Sequence, residues 1–200
     1  MLFLLFALAV AHGRAQDRWK ELEKRPSTLG LEKGYLSFNV PGFRLKLVKS
    51  SQTVAALSPA ADTVFDFSPG ERLKLRSSDG MYHLGDLDLR LRFAGETEWK
   101  KYATATKRAE VTALPLTDSN TLAAADLSNT LPAEIPLHVE RYWKREGGHL
   151  VLLFRLKNTS AQAVEIGSLG MPVIFNNILQ GKSLEQAHAG RIVGPACRGL

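Results

Sequence analysis

One cysteine, Cys197, stands in the 200 residues, so no disulfide can form within the chain. A chain of this size buries enough surface to fold without bridges. The lone thiol leaves two readings: it pairs with another chain, or it belongs to sequence foreign to the fold. Histidine is scarce as well. His83, His138, His149 and His188 fall at no metal-ligand spacing, and no His-x-x-x-His pair occurs. No metal and no cofactor is expected. A Gly-x-Ser-x-Gly elbow and a phosphate-cradling glycine loop are both missing, which removes two common routes to catalysis. Basic clustering is missing too. The net charge of +6 is spread among acids, as in Lys20-Glu21-Leu22-Glu23-Lys24-Arg25. Nucleic-acid binding would need a basic face or a known motif. No apolar run is long enough to cross a membrane, and no internal repeat or long helical period appears.

What is present begins with a leader. Residues 1–15 carry the short apolar core Leu2 to Val10, followed by Gly13-Arg14-Ala15 with small residues where a signal peptidase cuts. The expectation is a secreted product free of the membrane. Residues 16–33 read as a charged lead-in, and the folded unit spans 34–180.

That unit is a succession of short alternating runs. Leu137, Val139, Arg141 and Trp143 fall on one face of a run, with His138, Glu140, Tyr142 and Lys144 on the other. Glu146-Gly147-Gly148 turns the chain. The next run, His149 to Lys157, is apolar on both faces through Leu153, which predicts a strand central to its sheet. Ala163 to Leu169 is a third. Earlier, Pro41-Gly42 joins Tyr35–Val40 to Phe43–Lys49 as a hairpin, and Thr53 to Leu57 is a short strand. Glu71 to Arg76 alternates, and Asp86 to Phe93 alternates charge and bulk most cleanly of all. Trp99 to Ala113 is a longer β-prone run, and Leu122 to Asp126 a weaker one. Turn signals at ~8–12 residue intervals predict an all-β chain, an antiparallel β-sandwich. The one helix signal is the capping box Ser183-Leu184-Glu185-Gln186, within a segment 181–200 expected to be a short helix and an irregular, truncated end.

Candidate sites are few. Asp86, Asp88, Glu96 and Glu98 are close in sequence, and paired carboxylates serve glycoside hydrolysis. Asp86 and Asp88 are expected on one solvated strand face with Arg90 and Arg92, so no catalytic residue is assigned. Trp143 shares the face of Leu137 and Val139 and belongs to the core. Tyr142 and Trp99 are the candidates for ligand binding, since flat apolar rings suit pyranose faces. Asn158-Thr159-Ser160 is an N-glycosylation sequon and equally an ordinary polar turn.

The residues Val151 to Asn158, then Val164-Glu165-Ile166-Gly167-Ser168-Leu169-Gly170-Met171-Pro172 and Phe175-Asn176-Asn177, carry a resemblance. The chain resembles the N-terminal sandwich (supersandwich-like) of large secreted fungal and bacterial proteins that are similar to six-hairpin glycosidases. Leu31-Glu32-Lys33-Gly34-Tyr35 and Leu84-Gly85-Asp86-Leu87 fit the same likeness. The resemblance implies a non-catalytic scaffold packed against an (α/α) toroid, which these 200 residues do not contain. Two other readings stay open: a stand-alone module binding polysaccharide or a cell surface, and a truncated product without activity of its own.

Overall fold

The computed structural model describes residues 21, 24–62, 65–68 and 73–174. The leader, the capping box at Ser183 and the segment bearing Cys197 lie outside them. Within the described residues the chain is all-β and antiparallel, with ten strands and a few short 3-10 turns.

β1 (Tyr35–Val40), β2 (Phe43–Val48) and β3 (Val54–Pro59) form a meander. The Pro41-Gly42 turn sets Val40 opposite Phe43, as the hairpin signal predicts. A second three-stranded sheet places β4 (Asp88–Phe93) between β5 (Lys100–Ala103) and β10 (Val164–Gly170). The third sheet runs in the order β6 (Thr112–Ala113), β7 (Thr121–Asp126), β8 (Leu137–Glu146), β9 (His149–Asn158).

Alternation decides which side chains go inward. In β8, Leu137, Val139, Arg141 and Trp143 are buried while the residues between them are not. In β4, Leu89 and Leu91 are buried and Asp88, Arg90 and Arg92 point the other way. One core cluster joins Leu87, Leu89 and Leu91 to Ala125, Leu127, Leu137 and Val139, so β4 shares its interior with β7 and β8. A second joins Phe43, Leu45, Leu47, Val54 and Leu57 to Ala123 and Trp143, so the meander shares its interior with the same two strands. Each large apolar side chain buried this way contributes roughly 1.5–3 kcal/mol.

Three expectations need correction. Among the described residues β9 is an edge strand, not a central one: it pairs there with β8 alone, and Leu153 is 43% exposed. Its inner-face residues Leu150, Leu152, Phe154 and Leu156 do pack against the two cores. Apolar residues on both faces had suggested two covers, but among the described residues only one is found. Lys74–Arg76, read as the end of a strand, is a 3-10 turn, because three alternating residues fit a tight turn as well as a strand. The long run from Trp99 is broken into β5 and the two-residue β6, with a loop between.

Candidate functional site

The sequence placed Asp86 on a solvated face; the structure buries it, at 1% exposure. It lies two residues before β4, where the chain has not yet entered the sheet. Arg108 grips it with both ends of its guanidinium, Nη1 donating to Oδ1 at 2.6 Å and Nη2 to Oδ2 at 2.8 Å. The His83 amide donates to Oδ2 at 2.6 Å, and the Thr104 hydroxyl donates to Oδ1 at 3.0 Å. Burial alone would raise this carboxyl. The bonds and charge of Arg108, the His83 amide and the charge of Arg141 outweigh it and hold the group below the usual carboxylate range. Bidentate and fully enclosed, the pair is a structural tie whose acid cannot reach a substrate.

Arg141 extends the tie across the molecule. Projecting inward from β8, it is fully buried and donates to three carbonyls: Gly85 at 2.7 Å, Ser51 at 3.0 Å and Gln52 at 2.9 Å. One side chain thereby fastens the four-stranded sheet, the turn between β2 and β3, and the segment entering β4. Burial pulls its pKa down to about 10, so it stays charged at neutral pH. Its guanidinium lies 5.5 Å from the centre of the Trp143 ring. Gly85, at φ +95°, gives that ring its space: a Cβ there would sit 2.5 Å from Trp143 Cζ2.

His83 lies beside this network. Its Nε2 donates to the Arg76 carbonyl at 2.7 Å, which fixes the neutral tautomer. Burial, then the positive charges of Arg108 and Arg76, lower its pKa from 6.5 to about 4.

The outward face of the β10-β4-β5 sheet is the second region with built chemistry. A cleft of about 430 Å³ opens there, lined by Tyr82, Asp88, Arg90, Lys101, Thr106 and Ser168 among others. The Tyr82 hydroxyl donates to Asp88 Oδ1 at 2.9 Å. Burial first, and the Asp88 carboxylate next, raise the Tyr82 phenol above its ordinary value, keeping it a donor. Arg90 stands directly opposite Lys101 on one side and Ser168 on the other, a row across all three strands.

Trp99 stands at the start of β5, against this face. Its ring lies over Gly167, within 5.2 Å of the Arg90 guanidinium and 4.4 Å of that of Arg92. Gly167 sits at a register shift in β10, and a Cβ on it would come 2.6 Å from Trp99 Cζ3. Gly167→Val is therefore expected to displace the indole, red-shift tryptophan emission and cost about 1–3 kcal/mol. Unchanged emission and melting temperature would mean that the ring does not depend on this seat.

Tyr142, the other sequence candidate, is on a different sheet. On the outer side of β8 its hydroxyl donates to Glu140 Oε2 at 2.6 Å, and Arg155 lies 5.2 Å from its ring centre. His138 faces the same carboxylate through Nε2 at 3.1 Å. The hydrogen bond from Tyr142, ahead of His138 and Arg155, lowers the Glu140 pKa. The two aromatic candidates thus belong to separate surfaces, each with an arginine against its ring. Asn158 is exposed at the end of β9, its Oδ1 accepting from the Ser160 amide and hydroxyl in a tight polar turn.

An all-β chain with a buried ionic tie and an open, polar cleft on one sheet defines a class of architecture rather than a reaction. The chain belongs to a family of unknown function, DUF5695, whose model matches residues 46–194. No curated protein and no solved structure matches it.

Proposed function

We propose that this chain is the non-catalytic β-sandwich portion of a secreted, carbohydrate-active protein, a scaffold against which a catalytic domain packs. The four-stranded sheet forms one layer, and the two three-stranded sheets lie side by side as the other. Two core clusters support that arrangement, each joining β7 and β8 to one of the smaller sheets. The leader at residues 1–15 supports secretion.

The observation that carries the scaffold reading is an open apolar seam along β10. Ile166 pairs with Leu91 and Leu169 with Leu89, so both belong to the strand's core-facing side. Their β4 partners are buried, yet Ile166 and Leu169 are each 48% exposed, and Met171 and Val173 continue the strip. Contiguous apolar surface of this kind marks an interface. The resemblance to six-hairpin glycosidases supplies the occupant, a helical catalytic domain. Asp86, one of the four acids grouped in the sequence, is committed to Arg108, which fits a structural role for it.

The test is the double substitution Ile166→Lys with Leu169→Lys in the isolated chain. Self-association and binding of an apolar dye are expected to fall, with the melting temperature unchanged. Unfolding of the double variant would show that these side chains are core, and would overturn the seam. Hydrolytic turnover by the unaltered chain on any glycoside would overturn the non-catalytic role. A polysaccharide-binding module is the second reading, and the cleft on the β4–β5 face favours it.

A further inference from the structure

We infer that the cleft on the outer face of β4, β5 and β10 is a binding site for an acidic sugar, one whose carboxylate or sulfate group bridges Arg90 and Lys101. The inference rests on the carbohydrate-active reading for its choice of sugars; the need for an anion stands on the geometry.

Arg90 and Lys101 are directly opposed residues of neighbouring antiparallel strands. Like charges in that relation repel. Among the described residues no ion pair engages either one, although Arg92, one outward position along β4, is paired with Glu165. The acid nearest to hand in the cleft, Asp88, accepts the Tyr82 hydroxyl instead. Two cations and one acid therefore line the cleft, leaving an excess of positive charge in a space whose size lies within the ~300–1,000 Å³ of small-molecule sites.

The rest of the lining matches a sugar's other groups. Asp88 accepts hydrogen bonds from ring hydroxyls, while Tyr82, Thr106 and Ser168 both donate and accept. Trp99 acts from behind: with its ring beside Arg90, it holds that guanidinium toward the cleft and is a positioning residue. A neutral glycan would leave the two cations as they are. An acidic one removes their repulsion on binding, and charge-assisted bonds of this kind are the stronger ones.

The experiment is calorimetric titration of the full chain with a galacturonate tetrasaccharide, its methyl ester and a sulfated neutral tetrasaccharide. The galacturonate or the sulfated sugar, or both, should bind, and which of them does identifies the source of the anion. The methyl ester, which keeps the shape and loses the charge, should bind at least about tenfold more weakly. Lys101→Ala, at an exposed position, should weaken the acidic sugar by a similar factor without lowering the melting temperature, and added salt should weaken it further. Equal binding of ester and acid, indifference to Lys101→Ala, or no binding of any acidic sugar would overturn the site. Such a failure, with the Ile166/Leu169 double variant behaving as expected, would leave the scaffold role standing.

Discussion

Arg141→Met is expected to cost about 3–5 kcal/mol, enough to unfold much of the population of a domain of ordinary stability. The methionine fills much of the volume, so the loss is one of bonding rather than of packing. Carbonyls of Gly85, Ser51 and Gln52 are left buried without the donor that satisfied them. Each such orphan costs roughly 1–3 kcal/mol. Asp86 also loses the second positive charge that holds it ionised. Arg141→Lys should recover only part of the loss, because one ammonium cannot span the three acceptors in the guanidinium's fixed fork. Denaturant melts of the three proteins check this, and a melt for Arg141→Met within experimental scatter of the unaltered chain would remove the tie from the account.

The second large effect is a loss of stability in mild acid. His83 is neutral in the fold with a pKa of about 4, against an ordinary 6.5. As pH falls below 6.5 the unfolded chain takes up the proton first, so stability is complete above about 6.5 and declines toward pH 4. Over that window the loss is about 3 kcal/mol. Asp86 adds to it at lower pH: its carboxyl is depressed in the fold, so the stability it contributes holds above its ordinary 3.8 and is lost as pH falls through the folded value. His83→Gln retains a donor for the Arg76 carbonyl and cannot titrate. It should flatten the profile between pH 6.5 and 4 while leaving the Asp86 limb in place. Equally steep profiles for both proteins would assign the acid sensitivity to other groups.

Much of the fold was legible because several strands bury one face and leave the other exposed or partly exposed. β8, β4 and β2 announce themselves by strict alternation, and Pro41-Gly42 and Gly147-Gly148 mark their turns where the hairpins form. Sheet order was less legible. The apolar outer positions of β9 looked like those of a central strand, whereas among the described residues it is an edge strand with Leu153 exposed. The tie was legible only in part. Alternation had set Arg141 on the inward face beside Val139 and Trp143, and an arginine there demands acceptors. The partner relation of Asp86 carries no local signal, since Arg108 comes from a loop 22 positions on. Asp86 also precedes the regular strand, so extending the period of β4 backward put it on the wrong side. The cleft was half visible: Trp99 was marked for its ring, but the Arg90–Lys101 opposition depends on a pairing register that no single run of sequence contains.

In the proposed function, the chain works by contact through an outward surface while its buried acid serves the fold. Amide chemical-shift mapping during addition of a galacturonate tetrasaccharide tests that most directly. Shifts should concentrate on β4, β5 and β10 around Arg90, Lys101 and Ser168, with the sugar recovered intact. Shifts centred on Asp86 and Arg108, accompanied by cleavage of the sugar, would contradict it.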